Sequence, residues 1–113
     1  MIVHWGIEMN DDSWVVEKDQ VMVEGEAVTW SVDFIGATSV SSPSSKVYKN
    51  GSDYSSTVQS GSDSVSGTVA TLKTITAQGG DGGSNYVVAV TANVDGNTEI
   101  RKFIIRVVRP EDE

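Results

Sequence analysis

The choice of aliphatic residues is the feature of this sequence that most restricts its fold. The chain has 18 Val and 7 Ile residues but a single Leu, Leu72. Val and Ile are stiff at χ1 and fit the pleated, half-buried surface of a sheet, whereas Leu is a stronger helix former. The 15 Ser and 9 Thr residues suit solvated strand faces and turns. The sequence therefore predicts an all-β protein with no helix of any length.

Alternation of apolar and polar residues locates the strands along the chain. It is clearest in residues 28–34 (VTWSVDF), and the same period recurs in residues 86–94 and 101–108. Such alternation is typical of strands with one face in a core and the other in water. Ile104 falls among the charged positions of its run, which predicts a strand covered on both sides at its middle. Strands are expected over residues 17–23, 27–34, 38–42, 46–48, 55–59, 68–76, 85–94 and 98–108.

Turn signals separate these runs. Asp95-Gly96 lies between the last two runs and favours a tight antiparallel hairpin, because both residues tolerate positive φ. Asn50-Gly51 marks a second turn, and Pro43 is expected to break or edge any strand around it. Residues 79–83 (GGDGG) are expected to form a flexible connection from one sheet to the other. Seven to eight short strands, with turns about every 8–12 residues, predict an immunoglobulin-like two-sheet antiparallel sandwich.

The sandwich is expected over residues 17–109, after an N-terminal arm at residues 1–16 and before an acidic tail at residues 110–113. Residues 52–67, rich in Ser, Gly and Asp, are expected to form a mobile edge. Tyr86 is expected in the core with its hydroxyl bonded to the backbone. The other residues expected to be buried together are Val28, Trp30, Val32, Val88, Val90, Phe103 and Ile105.

Composition excludes several classes of function. The 16 Asp and Glu against 8 Lys and Arg give a net charge of −8, which repels phosphates and anionic headgroups, so neither a nucleic acid nor a membrane is expected as partner. There is no Cys and a single His, His4, which leaves thiolate and His-based sites without ligands. No apolar run approaches the length that spans a bilayer, and residues 1–14 lack the basic region of a signal peptide.

No pattern in the sequence predicts a catalytic, cofactor or metal site. The acidic residues are scattered over predicted turns, where Asp ordinarily forms the turn itself, and no EF-hand spacing is present. Residues 79–83 resemble one fragment of a calcium-binding nonapeptide, but such sites need stacked repeats, and a phosphate loop needs a Lys after the glycines. We therefore expect no enzyme activity, no cofactor and no bound metal.

The N-terminal arm is apolar although it precedes the expected sandwich. Left in water, it would be an unusual exposed patch. Either the arm adds a strand to an edge of its own domain, or it docks onto another subunit, and the sequence leaves both open. If it docks, the candidate interface residues are Ile2, Val3, Trp5, Ile7, Met9 and Trp14.

Three stretches of the chain carry a family resemblance: residues 28–42 (VTWSVDFIGATSVSS), 79–88 (GGDGGSNYVV) and 94–107 (VDGNTEIRKFIIRV). Through them the sequence, from about residue 17 onward, resembles a family of small tailed-bacteriophage proteins, the phage fiber-tail adaptor proteins. Phe34 stands where the family usually has Trp. Residues 52–67 and the arm have no counterpart in the family pattern.

The resemblance implies an immunoglobulin-like, non-enzymatic structural protein of the virion, which acts by protein–protein contact at the head–tail connection or in the tail. Its partners would be other virion proteins (head, tail or fiber subunits), with which it would assemble as an oligomer in the host cytoplasm. An alternative with the same fold is a capsid decoration or cement protein. An adhesive module of a bacterial surface protein is a third interpretation.

Overall fold

The computed structural model describes residues 2–6 and 20–112, and their secondary structure is almost entirely β. One four-residue α-helix and one 3-10 helix, Pro110–Asp112, accompany the strands. In chain order the elements are β1 (Ile2–Gly6), β2 (Gln20–Val23), β3 (Ala27–Ile35), β4 (Val40–Lys49), β5 (Ser52–Asp53), α1 (Ser55–Val58), β6 (Gln59–Ser60), β7 (Ser64–Ser66), β8 (Val69–Thr76), β9 (Asn85–Val94) and β10 (Asn97–Val108).

The strands form two five-stranded sheets packed as a sandwich. The first sheet has the order β1-β3-β8-β6, with β7 also paired to β8, and the second has the order β2-β10-β9-β4-β5. Pairing is antiparallel except for β1 on β3 and β2 on β10, which are parallel. The central strands follow the order of an immunoglobulin sandwich, in which the second, fifth and fourth strands form one sheet and the third, sixth and seventh form the other. The expected two-sheet fold is confirmed.

Turn chemistry fixes the register of the second sheet. Asp95 and Gly96 have φ values of 50° and 89°, and they close the β9–β10 hairpin with Val94 opposite Asn97. Asn50 and Gly51, at φ 52° and 80°, turn β4 into β5. Residues 79–83 connect β8 in the first sheet to β9 in the second, as expected.

The core lies between the sheets and is built from alternate residues of each strand. Trp30 is fully buried and packs against Phe103, with ring centroids 5.8 Å apart. Val28 is only half-buried at the rim of this cluster. The other six residues expected to be buried together are buried: Trp30, Val32, Val88, Val90, Phe103 and Ile105.

The expectation that Pro43 divides the chain into two strands is wrong. Residues 40–49 form one strand, β4, and a bulge accommodates the proline. Ser41 pairs with Asn93 and Ser44 with Thr91, so two residues of β4 lie opposite one residue of β9. Ser42 adopts a φ of 53° at this bulge. Because a bulged residue is left out of the ladder, the missing N–H of proline costs little there.

A strand at residues 55–59 was also the wrong expectation, because helix α1 occupies residues 55–58. Local side-chain hydrogen bonds favour the turn: Asp53 accepts the N–H of Ser55, whose hydroxyl in turn accepts the N–H of Val47. Residues 52–67 lie at sheet edges, with β5 on the edge of the second sheet and β6 and β7 paired to β8 in the first, and the mobility expected of them stays a prediction. Of the strand expected at residues 17–23, the described part is β2. The strand number exceeds seven to eight because β1, β5 and β7 are added.

Candidate interaction face

The outward side of the second sheet is aliphatic and basic. Burial alternates along its strands, so that in β10 the residues Phe103, Ile105 and Val107 point into the core and their neighbours point out. The outward positions of β2, β4, β9 and β10, called the basic face below, include three cations and no carboxylate. Its charged and apolar members are Lys46, Lys102, Arg106, Val21, Val23, Tyr48, Val87, Ala89, Ile100, Ile104 and Val108.

A shallow groove of about 480 Å³ lies at the centre of the basic face. Its floor is formed by Val87 and Ala89 of β9, and Ile100 of β10, 43% exposed, lines it beside them. Lys46 and Lys102 also line it, from β4 and β10. Aliphatic area between cations is a surface that binds apolar groups next to negative charge.

Two carboxylates lie near the basic face. Glu99 lies on β10 but on the opposite side from Lys102, and it accepts a 2.6 Å hydrogen bond from Arg101. Asp53, on edge strand β5, lies opposite Tyr48 and so on the same outward side as Lys46, with its carboxylate 3.9 Å from the lysine. Asp53 therefore offsets part of the positive charge of the basic face at Lys46.

The outward side of the first sheet has a different chemistry. Its strands pair hydroxyl groups across the ladder, with Thr29 and Thr74 2.7 Å apart and Ser31 and Thr71 3.4 Å apart. Asp33 on the same side accepts a hydrogen bond from the Thr68 hydroxyl. Hydroxyl groups that satisfy one another and remain hydrated are typical of a solvent face. Among the described residues, the outward side of the first sheet therefore differs by carrying many hydroxyl groups, although Ile35 at the end of β3 is 47% exposed there.

Asp81 is the most buried charged residue of the described chain, with 4% of its surface exposed. It lies in the glycine-rich loop between β8 and β9, and both of its oxygens accept hydrogen bonds. Lys49 donates to Oδ1 at 2.6 Å, while Tyr86 and Tyr54 donate to Oδ2 at 2.6 and 3.1 Å. The Tyr86 hydroxyl also accepts the backbone N–H of Gln78 at 3.0 Å, which confirms the backbone partner expected for it. A tyrosine at this position is a feature of immunoglobulin sandwiches.

The pKa of Asp81 reflects two opposed effects. Burial raises it, but the hydrogen bonds from Lys49, Tyr86 and Tyr54 together outweigh burial, so the pKa lies below its ordinary value. The pKa of Lys49 is raised by the same hydrogen bond to Asp81. Burial and the neighbouring carboxylate raise the pKa of Tyr86. The charged cluster of Asp81, Lys49, Tyr54 and Tyr86 therefore has a structural role. Both carboxylate oxygens of Asp81 already accept hydrogen bonds, so neither is free for acid–base chemistry.

Titration of the protein with Ca²⁺ is expected to show no micromolar binding. Among the residues that the structure describes, no three His, Asp or Glu side chains come together as metal ligands. Asp63 and Asp95 are engaged with their own donors, Lys73 and the N–H groups of Thr38 and Ser39. Ca²⁺ needs about six to eight oxygen ligands. Isothermal titration calorimetry measures this, and a saturable heat in the micromolar range would contradict it.

The structure places half of the candidate interface residues. Ile2, Val3 and Trp5 lie in β1, whose backbone pairs with β3 at Ser31, Val32 and Phe34. This part of the arm thus adds a strand to its own sheet, one of the two alternatives left open by the sequence. The remaining candidates, Ile7, Met9 and Trp14, lie outside the described residues.

The basic face was not predicted from the sequence. One part of the sequence signal for this face lies in β10. There Ile100 and Ile104 occupy outward positions, which are expected to be polar because they alternate with the core residues. The second part of the signal, the absence of acids from the outward positions of four strands, depends on pairing that the sequence does not show. The same holds for Lys49 and Asp81, which are 32 residues apart in the chain.

No helix in the described part of the chain is long and apolar enough to cross a membrane. A scan against protein-family models finds none that matches this chain, and the sequence matches no curated protein.

Proposed function

We propose that this chain is a non-enzymatic structural protein of a tailed-bacteriophage virion, acting by protein–protein contact at the head–tail connection or in the tail. The observation that carries the proposal is the basic face, an aliphatic sheet surface with Ile100 and Val21 more than 40% exposed. Surfaces of this kind are typical of binding sites for other proteins. The resemblance of residues 28–42, 79–88 and 94–107 to phage fiber-tail adaptor proteins supports the same class of function.

The hydrogen bonds accepted by the two most enclosed carboxylates discussed above, Asp81 and Asp63, favour a binding function over a catalytic one. The buried carboxylate of Asp81 is saturated by three donors. Asp63, whose side chain is 6% exposed, accepts hydrogen bonds from Ser45 and from the backbone and side chain of Lys73. Catalytic carboxylates need an oxygen that can reach a substrate. These two carboxylates instead hold loops and strands together, which suits a protein that presents a rigid surface to its partners.

The proposal assigns the N-terminal arm to contacts with neighbouring virion subunits. Trp5 and Trp14 belong to the residue type most enriched in interface hot spots. The pairing of β1 with β3 leaves this role open, because an edge strand has a second edge and two faces. Virion partners, assembly in the host cytoplasm and an oligomeric state in the particle belong to the same proposal.

Two variants test the role of the arm. One lacks residues 1–16, and the other carries Trp5→Ala and Trp14→Ala, which leaves the backbone of β1 in place. We expect both to unfold cooperatively in denaturant, and both to be incorporated into particles at a small fraction of the wild-type level. Thermal unfolding and immunoblots of purified particles measure this. Loss of cooperative folding in the double variant would assign these tryptophans to the core, and normal incorporation would remove the interface role.

A further inference from the structure

We propose that Asn50 is a site of spontaneous covalent modification, at which the side-chain amide is lost and an aspartyl or isoaspartyl residue is formed. The reaction uses the Asn50 side chain, the backbone nitrogen of Gly51 and water, and it needs no enzyme. Asn50 and Gly51 form the two-residue turn between β4 and β5. The inference is independent of the proposed function, because it follows from the chemistry and the surroundings of this turn.

The covalent step is an attack of the Gly51 backbone nitrogen on the side-chain carbonyl carbon of Asn50. The new carbon–nitrogen bond closes a five-membered imide ring. The bond from that carbon to the side-chain nitrogen breaks, and ammonia leaves with the proton that the backbone nitrogen gives up. Water then opens the ring at either carbonyl, which leaves aspartate or isoaspartate, and in isoaspartate the main chain runs through the former side chain. Nothing is oxidised or reduced.

Glycine after the asparagine leaves the reacting atoms open. A side chain on the following residue hinders ring closure, and Gly51 has none. A Cβ atom built on Gly51 would have no atom within 4 Å apart from those of its chain neighbours, and both residues of the turn are exposed. The turn therefore has room for the imide ring and for the water that opens it.

Neither reacting group is engaged elsewhere. The Asn50 side chain makes no hydrogen bond with the described residues, and the N–H of Gly51 has no acceptor among them. Asn50 has a φ of 52°, and ring closure requires the peptide group of the turn to rotate towards the side chain. Strand β5 pairs with β4 through two residues, so little structure opposes local opening of the turn.

The two other places where an acidic or amide residue precedes glycine are protected. The carboxylate of Asp81 accepts three hydrogen bonds, and the N–H of the following Gly82 donates to Glu24 at 2.7 Å. Asp95, which precedes Gly96, accepts two backbone N–H groups from the β3–β4 connection at 2.9 and 2.7 Å. Of the three such pairs in the sequence, the structure leaves the side chain and the nitrogen available in the β4–β5 turn alone.

The other described asparagines provide internal comparisons. Asn85, Asn93 and Asn97 lie in β9 and β10, and they are followed by Tyr, Val and Thr. These side chains crowd the backbone nitrogen that would attack, and the hydrogen bonds of the ladder hold the peptide groups in place. We therefore expect these three residues to keep their amides far longer than Asn50.

Modification changes the border of the basic face. Loss of the amide adds one carboxylate, which takes the net charge from −8 to −9, and Gly51 lines the groove of that face. Isoaspartate also lengthens the main chain within a two-residue turn, and such turns fix the register of the strands that they join. The pairing of Lys49 with Ser52 beside the turn is therefore disturbed in the isoaspartyl form.

Incubation of the full chain tests the inference. Samples are kept for several weeks in mildly alkaline and in mildly acidic buffer, and are then digested briefly with chymotrypsin. Cleavage after Tyr48 and Tyr54 isolates Asn50 in one short peptide. Mass spectrometry, with fragmentation that separates aspartate from isoaspartate, measures the conversion. A sample digested before incubation gives the background, and a synthetic peptide of residues 46–54 shows that the buffer supports the reaction.

Conversion at Asn50 is expected to be at least about tenfold faster than at the three comparison asparagines, because only Asn50 precedes a glycine. Conversion should also be faster in the alkaline buffer, since base removes the proton of the attacking nitrogen. Equal rates at the four residues would overturn the inference. It would also be overturned if the synthetic peptide converted while Asn50 of the folded chain did not.

Two variants assign the modification to Asn50. Asn50→Gly removes the amide and keeps a residue that tolerates positive φ. Asn50→Asp carries the charge of the product on an unchanged main chain. In ion-exchange chromatography, aged wild-type protein should gain a species that elutes with Asn50→Asp, and Asn50→Gly should form acidic species several-fold more slowly. Circular dichroism should show that both variants are folded. Acidic species that form equally fast in Asn50→Gly would overturn the inference.

Discussion

Replacement of Trp30 by alanine is expected to lower the free energy of unfolding by about 3–5 kcal/mol, the usual cost of removing a large buried aromatic. Trp30 is the largest fully buried side chain among the residues that the structure describes, and its ring packs against Phe103 between the two sheets. Because domains of this size have total stabilities of only about 5–15 kcal/mol, the variant should be close to unfolding at 37 °C. Urea unfolding, followed by circular dichroism, measures the change.

Trp30→Phe is the matched control for this prediction. The indole N–H of Trp30 is buried and has no hydrogen-bond partner among the described residues. Phenylalanine keeps most of the ring and removes that unsatisfied donor, so its loss of stability should be less than half that of the alanine variant. A loss below about 1 kcal/mol for Trp30→Ala would show that Trp30 is not a core residue.

Replacement of Asp81 by alanine is expected to cost about 3 kcal/mol, because it removes the acceptor shared by three donors. Tyr86 is fully buried, so its hydroxyl would lose its acceptor where water does not reach. The loop between β8 and β9 would also lose its attachment to Lys49 and Tyr54. Asp95→Ala is a useful comparison, since Asp95 is exposed and accepts only backbone N–H groups at a turn. Asp95→Ala should lower the free energy of unfolding distinctly less than Asp81→Ala does. A larger loss for Asp95→Ala would contradict the structural role assigned to Asp81.

The stability contributed by Asp81 depends on pH in a defined direction. Its pKa is lower in the folded protein than in the unfolded chain. The contribution is therefore fully present above the unfolded pKa, about 4, and is lost as the pH falls through the folded pKa. Asp81→Asn should be less sensitive than the wild type to acidification below about pH 4. Equal acid sensitivity of the two proteins would show that Asp81 is not held as a carboxylate.

The fold could be predicted from the sequence because its signals are local. Alternation in residues 28–34 and 101–108 places Trp30 and Phe103 on one face of their strands, and the structure buries both. The Asp95-Gly96 turn could be assigned because the two positive φ angles it needs are a property of those residues. Local signals failed at Pro43 and at residues 55–58, where a bulge and side-chain hydrogen bonds overrode the intrinsic preferences of the residues.

The candidate face could not be predicted because it depends on which strands are neighbours. Lys46 and Lys102 are 56 positions apart in the chain, and they line one groove only because β4 and β10 both pair with β9. Likewise, the pairing of Lys49 with Asp81 requires the glycine-rich loop to fold over the end of β4. Register and strand order decide such placements, and neither can be read from one strand at a time.

Quantitative mass spectrometry of purified phage particles tests the central claim most directly. The particles would come from a lysate in which this chain is expressed, and heads and tails would be separated before digestion. If the chain is a virion structural protein, its peptides will be recovered with the head–tail connection or the tail, at a constant ratio to the neighbouring subunits. Their absence from purified particles, while the chain is abundant in the unassembled fraction, would contradict the proposed function.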